Sequence, residues 1–260
     1  MSSETHDAEQ HPGNRGGSSN VGMFGVDRTS LGGRVYEQPS EKATTSPYRG
    51  IVGQGLVRLG AWAWALGTVQ SLALQLIVGA AWSEPYSWAA NNISDLGNVG
   101  CGAWDGRYVC SPLHAWMNAS FVLQGVLLVV GLVLTGPLWR GGFSGWAWRT
   151  LVLLAGAAWV VVGLAPADVN LGLHLLAALV VFFLGNASLL LAANPRRGSG
   201  MRKIRPYSLT LGAVGLASAV LFLGHQDLGL GPGTLERLAV FPLQVWALLT
   251  GISILRRNKR

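Results

Sequence analysis

LGLHLLAALVVFFLGNASLLLAA, residues 171–193, decides the fold. It carries no charged side chain and a single histidine, His174. A helix needs roughly 20 mainly apolar residues to cross the hydrocarbon core of a bilayer, and this run is long enough to do so. Working outward, comparable runs lie at about 59–82, 114–134, 151–165, 209–224 and 238–255. Those at 151–165 and 209–224 are short. The turn PADVN at 166–170 leaves the third and fourth runs no room to be anything but antiparallel neighbours. Composition agrees: 50% of the chain is hydrophobic and 12% is charged, against about a quarter charged in soluble domains.

The arginines set an expected orientation. Arg49, Arg58, Arg140, Arg149, Arg196, Arg197, Arg202, Lys203, Arg205, Arg256, Arg257, Lys259 and Arg260 fall on one side of the six runs, and only Arg107 and Arg237 fall on the other. Cytoplasmic segments are the ones rich in Lys and Arg. The expectation is therefore an all-α bundle of six transmembrane helices over 49–260 with both termini cytoplasmic and a long outer loop at 83–112. The net charge of +7 reads as topology signal and contact with membrane lipid headgroups, not as a nucleic-acid surface. Residues 1–48 are polar and rich in Gly and Ser; they read as a disordered cytoplasmic tail, with a partner motif around Tyr36 as the sharper alternative. That stretch holds no apolar core of the kind a cleaved signal needs, so the first run is expected to be an uncleaved anchor. Trp82, Trp88, Trp104 and Trp116 at one end, and Trp62, Trp64, Trp139, Trp146 and Trp148 at the other, read as interfacial belts. Small residues at helical spacing (Gly156 with Gly163; Ser208, Gly212, Gly215 and Ala219) read as helix-packing positions.

The chemistry-bearing residues gather on the expected outer side. Every acid after position 50 maps there: Glu84, Asp95, Asp105, Asp168, Asp227 and Glu236. So do His114, His174 and His225. Positive-inside bias does not account for the histidines, since they contribute little to topology. Ser111, His114 and Asn118 share one helical face by spacing. Cys101 and Cys110, the only cysteines, suggest a disulfide on an oxidising face; two thiols alone would make an incomplete metal site.

Three readings follow. The first is an outward polar pocket binding a lipid or lipid-linked ligand. The second is a metal-dependent intramembrane hydrolase in which His114, His174 and His225 hold zinc, with Asp95 or Glu236 as a further ligand or general base. The third is a small-solute transporter. The nearly charge-free helix middles, with Gln75, Gln124 and Gln244 as the main polar exceptions, weigh against the third. Whether the protein is an enzyme, and its oligomeric state, stay open.

Four segments carry a family resemblance: NNISDLGN at 91–98, CSPLHAWMNASF at 110–121, His174 followed by FFLGN at 182–186, and GTLERLAVFP at 233–242 followed by Trp246. Together they resemble the prokaryotic multi-pass membrane family called domain of unknown function 998, over about 55–255. The resemblance implies a prokaryotic cytoplasmic-membrane protein and no established activity. Ile93-Ser94-Asp95-Leu96-Gly97 is also similar, more distantly, to a loop of the Frag/DRAM/Sfk membrane proteins, some of which act in lipid remodelling or membrane homeostasis. On this basis the catalytic candidates are Ser94, Asp95, Ser111 and Glu236. The ligand-binding candidates are Asn92, Asp95, Asn118 and Arg237.

Overall fold

The computed structural model describes residues 47–198 and 201–257. Six helices are long and apolar enough to cross a membrane: α1 Pro47–Ala80, α2 His114–Leu134, α3 Gly142–Leu164, α4 Leu171–Ala192, α5 Arg205–Leu223 and α6 Pro232–Arg257. The expected tail lies outside the described residues except at its last two, which begin α1. Each helix packs on the next in chain order, and α6 returns to α1, so the bundle closes as a ring.

The two runs read as short are full-length helices. Hydropathy drops at Trp146 and Arg149 in α3 and at Arg205-Pro206 in α5, yet helical hydrogen bonding continues through both. Pro206 sits in the first turn of α5, where a missing N–H is one of the orphan donors anyway. Likewise α6 starts at Pro232 rather than near 238. Glu236 and Arg237, which the sequence places at the opening of helix six, stand within its first two turns.

The tryptophans need a correction. Trp62 and Trp146 are exposed and fit an interfacial belt, but Trp64, Trp139 and Trp148 are buried. Residues two apart on a helix face nearly opposite ways, so each Trp-x-Trp pair sends one ring outward and one inward. The inward rings cluster with Trp246, their centroids 4.3–6.4 Å apart. Indole N–H groups of Trp64, Trp139 and Trp246 donate to Leu128 O, Thr135 Oγ1 and Ser208 Oγ, the usual state of a buried indole, whereas that of Trp148 has no partner.

Close packing follows the small residues. A Cβ on Gly156 would lie 2.6 Å from Val129 Cγ2 and 3.1 Å from the Gly125 carbonyl, both on α2; only glycine permits this α2–α3 approach. α4 contains a wider, π-helical turn at Val180–Gly185, a local irregularity that recurs at functional sites. Asn186, fully buried, donates from Nδ2 both to Phe182 O at 2.6 Å and to Ala239 O of α6 at 2.7 Å. One side chain thus satisfies a carbonyl at the wide turn and ties α4 to α6. Gln75, Gln124 and Gln244 are buried in the bundle. Gln244 donates to Ser71 Oγ and its carbonyl accepts from Thr68 Oγ1.

Between α1 and α2 the chain forms a cap over one end of the bundle. A 3-10 turn spans Ser94–Gly97. A hairpin pairs β1 Gly102–Trp104 with β2 Arg107–Val109, Ala103 opposite Tyr108. Asp105 and Gly106 form its two-residue turn, both with positive φ, which is the Asp-Gly turn that matches strand twist. The Cys101–Cys110 disulfide closes the hairpin at its base.

Candidate functional site

The cap is held by the conspicuous sequence motifs. Asp95 is fully buried, and a carboxylate there must be paired and hydrogen-bonded to remain charged. Arg107 supplies the pairing with a two-pronged contact, Nε to Oδ2 and Nη2 to Oδ1, each at 2.8 Å. Asn92 N–H adds a third bond to Oδ2 at 2.9 Å. Arg107 turns its remaining nitrogen to Asp105, donating to Oδ2 at 2.8 Å and to the carbonyl. Burial alone would lower the Arg107 pKa; the Asp95 and Asp105 carboxylates more than offset that and hold it above its usual range.

The carbonyls of the 3-10 turn are capped from α2. Ser111 Oγ donates to Leu96 O at 2.7 Å and Asn118 Nδ2 donates to Gly97 O at 2.8 Å. Gly97 lies so close to Asn118 that any Cβ would collide with its Oδ1. From α3's far end, Asp168 Oδ2 accepts from Gly100 N–H at 2.7 Å.

α6 completes the anchoring. Arg237 Nη1 donates to the carbonyls of Trp88, Asn91 and Gly233, and Nη2 donates to Tyr86 OH. Its guanidinium carbon lies 4.6 Å from the Trp88 ring centroid, a favourable cation–π distance. Tyr86 OH donates in turn to Asn92 O at 2.8 Å. Burial, partly opposed by the Arg237 charge, pushes the Tyr86 phenol above its ordinary range. Glu236 accepts from Ile93 N–H.

Between this cap and helices α4, α5 and α6 lies a cavity of about 570 Å³. Its lining is mixed: Leu171, Leu175, Leu179, Phe222 and Leu223 are apolar, and Asn92, Ser94, Arg107, His174, His225, Asp227 and Glu236 are polar. A smaller cavity of about 30 Å³ lies further in. Ser94, His174, Ala178, Phe182 and Glu236 border both. His174 is 6% exposed, and its Nδ1 lies 2.8 Å from Ala165 O. A carbonyl can only accept, so Nδ1 carries the proton, and in the neutral ring Nε2 is the lone-pair nitrogen. A family model described as a protein of unknown function, DUF998, matches residues 54–253.

The chain belongs to the DUF998 family. No curated protein and no solved structure gives a significant match.

In this DUF998 member the expected site residues separate into two groups. Asp95, Ser111, Asn118 and Arg237 have their polar groups directed at the backbone or at Arg107, and none of the four borders either cavity. Asn92, Ser94, Glu236 and His174 border the cavity. His174 and His225 do so together, whereas His114 does not, and its Nδ1 faces Ser111 O at 3.0 Å. Among the described residues no group of three or more His, Cys, Asp or Glu is placed to hold a metal ion. Three residues outside the expected set matter: Arg107, Tyr86 and Trp88. Arg107 was one of only two basic residues on its side of the bundle, which was the available signal for it.

Proposed function

We propose that this protein binds a membrane lipid or lipid-linked amphiphile in the cavity between the cap and α4, α5 and α6. The observation that carries the reading is the cavity's mixed lining. Leu175, Leu179 and Leu223 are exposed on the helix surface as well as bordering the cavity, a placement suited to lateral entry of an acyl chain from the bilayer. Asn92, Ser94, His174 and Glu236 border the same space, and a polar head would rest beside them. Ligand sites of several hundred Å³ with a few convergent polar groups are of the usual size for such molecules. In this reading the cap faces outward and the arginine-rich end faces the cytoplasm of a prokaryotic cell, following the distribution of basic residues. The test is native mass spectrometry of protein purified in mild detergent. Wild type should carry a co-purified lipid, and Ala178→Trp, which fills the junction of both cavities, should lose it while still folding. Equal lipid occupancy in both proteins would refute the reading.

One observation favours a second reading, hydrolysis of an ester in that lipid. Ser94, His174 and Glu236 meet at the inner cavity, and His174 Nε2 is in the acceptor form a general base requires. Its zinc version would need a third ligand that the described residues do not supply. Release of labelled fatty acid by wild type, abolished by Ser94→Ala and by His174→Gln, is the expected result; release that survives both substitutions would remove it.

A further inference from the structure

We propose that the head group taken by this cavity is a cationic amine, so that the preferred ligand is an amine-bearing lipid rather than an anionic phosphatidylglycerol or a neutral glycolipid. The proposal rests on the lipid-binding reading above and concerns which lipid is held.

Among the described residues one arginine and no lysine borders the cavity. Arg107 borders the cavity, but its Nε and Nη2 are spent on Asp95, and Nη1 is spent on Asp105. Two carboxylates therefore face one guanidinium, and that cluster is net negative. It is a brace for the hairpin, not a receptor for phosphate. The second arginine at this end, Arg237, donates to the carbonyls of Trp88, Asn91 and Gly233 and does not border the cavity; its charge acts on the adjacent Glu236 carboxyl, yet Asp95, Asp105, Asp227 and Glu236 still outnumber Arg107 and Arg237.

Beside the neutral Ser94, Gln226 and Trp104, the charged groups that remain on the wall are carboxylates. Glu236 from α6 and Asp227 from the α5–α6 connection both border the cavity. His174, nine-tenths buried, has its donor committed to Ala165 and therefore offers an acceptor. Asn92 and the exposed Asp105, both from the cap, also border the cavity. Carboxylates and lone pairs from the cap, α4, α6 and the α5–α6 connection thus border one space that contains no uncommitted cation. An ammonium supplies three N–H donors and a compensating charge. A head group whose only charge is a phosphate brings acceptors and like charge with nothing to offset them, which disfavours it in a partly desolvated site; in phosphatidylethanolamine the ammonium supplies that offset.

The experiment compares lipids on one purified protein. Delipidated wild type in nanodiscs or detergent is titrated with phosphatidylethanolamine, phosphatidylglycerol and a neutral diacylglycerol glycoside of matched chains, and bound lipid is read by native mass spectrometry. We expect phosphatidylethanolamine to bind at least ten-fold more tightly than the other two. Glu236→Gln keeps the acceptor for Ile93 N–H, and Asp227→Asn keeps the one for Gly229 N–H; each should collapse that preference to within about two-fold without unfolding the protein. Phosphatidylglycerol or the glycoside binding as well as the amine, in a manner still blocked by Ala178→Trp, would overturn the amine assignment while leaving the lipid site intact. A preference unchanged in both charge-removing variants would also overturn it. If no lipid binding responds to Ala178→Trp, it is the underlying lipid reading that fails.

Discussion

Replacing Arg107 by alanine should unfold the cap while leaving the transmembrane ring intact. The side chain of Asp95 is 1% exposed and that of Arg107 18%. Stripping one partner from a buried ion pair strands the other charge, at a cost of roughly 3–5 kcal/mol. Solvent reaches part of Arg107, so the lower end of that range applies, about 3 kcal/mol. Asn92 N–H still donates to Asp95, but one neutral donor cannot replace a two-pronged guanidinium. Asp95→Asn alone should cost less, because it removes the buried charge and keeps the shape. The double variant Arg107→Ala/Asp95→Asn should be more stable than Arg107→Ala. That non-additivity separates a charge pair from simple loss of packing. Denaturant unfolding of detergent-solubilised protein, followed by near-UV signals from the cap tryptophans Trp88 and Trp104, supplies the numbers. A loss under about 0.5 kcal/mol for Arg107→Ala, or strict additivity in the double variant, would refute the pairing as the brace of the cap.

Other consequences can be checked alongside it. Cys101→Ser/Cys110→Ser opens the base of the hairpin; chain entropy for so short a loop assigns about 2–3 kcal/mol, and reductant should destabilise wild type by a similar amount but leave the double serine variant unchanged. Gly97→Ala should destabilise by about 1–3 kcal/mol, as overpacking against Asn118 Oδ1 requires a backbone shift, and Asn118→Ala in the same chain should recover part of it. The folded-state pKa of Tyr86 is raised, so the unfolded chain loses that proton first on going alkaline. Its contribution is complete below about pH 10 and declines above it, with a limiting slope of about 1.4 kcal/mol per pH unit; Tyr86→Phe should flatten the alkaline limb.

The sequence carried the membrane architecture well because hydropathy is summed over some twenty residues and survives local errors. It failed where one residue's direction mattered. Trp62 and Trp64 look alike in a hydropathy reading, but a two-residue offset on a helix sends one to lipid and the other to the core. α6 begins ahead of its apolar run because Glu236 and Arg237, near its start, depress hydropathy, although both are helical and buried. The disulfide was readable from two cysteines and their spacing. The roles of the motif residues were not. NNISDLGN and GTLERLAVFP are rich in polar groups, which suggests a binding site, yet Asp95 and Arg237 are occupied in holding the cap, beside its buried Ile93 and Leu96. Only pairing across 12 and 146 residues, Arg107 to Asp95 and Arg237 to Asn91, separates those braces from Asn92, Ser94, His174 and Glu236 on the cavity wall. Nothing in a linear pattern encodes such partners.

The central claim is that the space between the cap and α4, α5 and α6 is a lipid site, and a density map of the protein in lipid nanodiscs tests it most directly. The account predicts elongated density along Leu175, Leu179 and Phe222, with its head beside Glu236 and His174. The same gap closed by Phe222 and the α5–α6 connection in wild type, with no density inside, would contradict it.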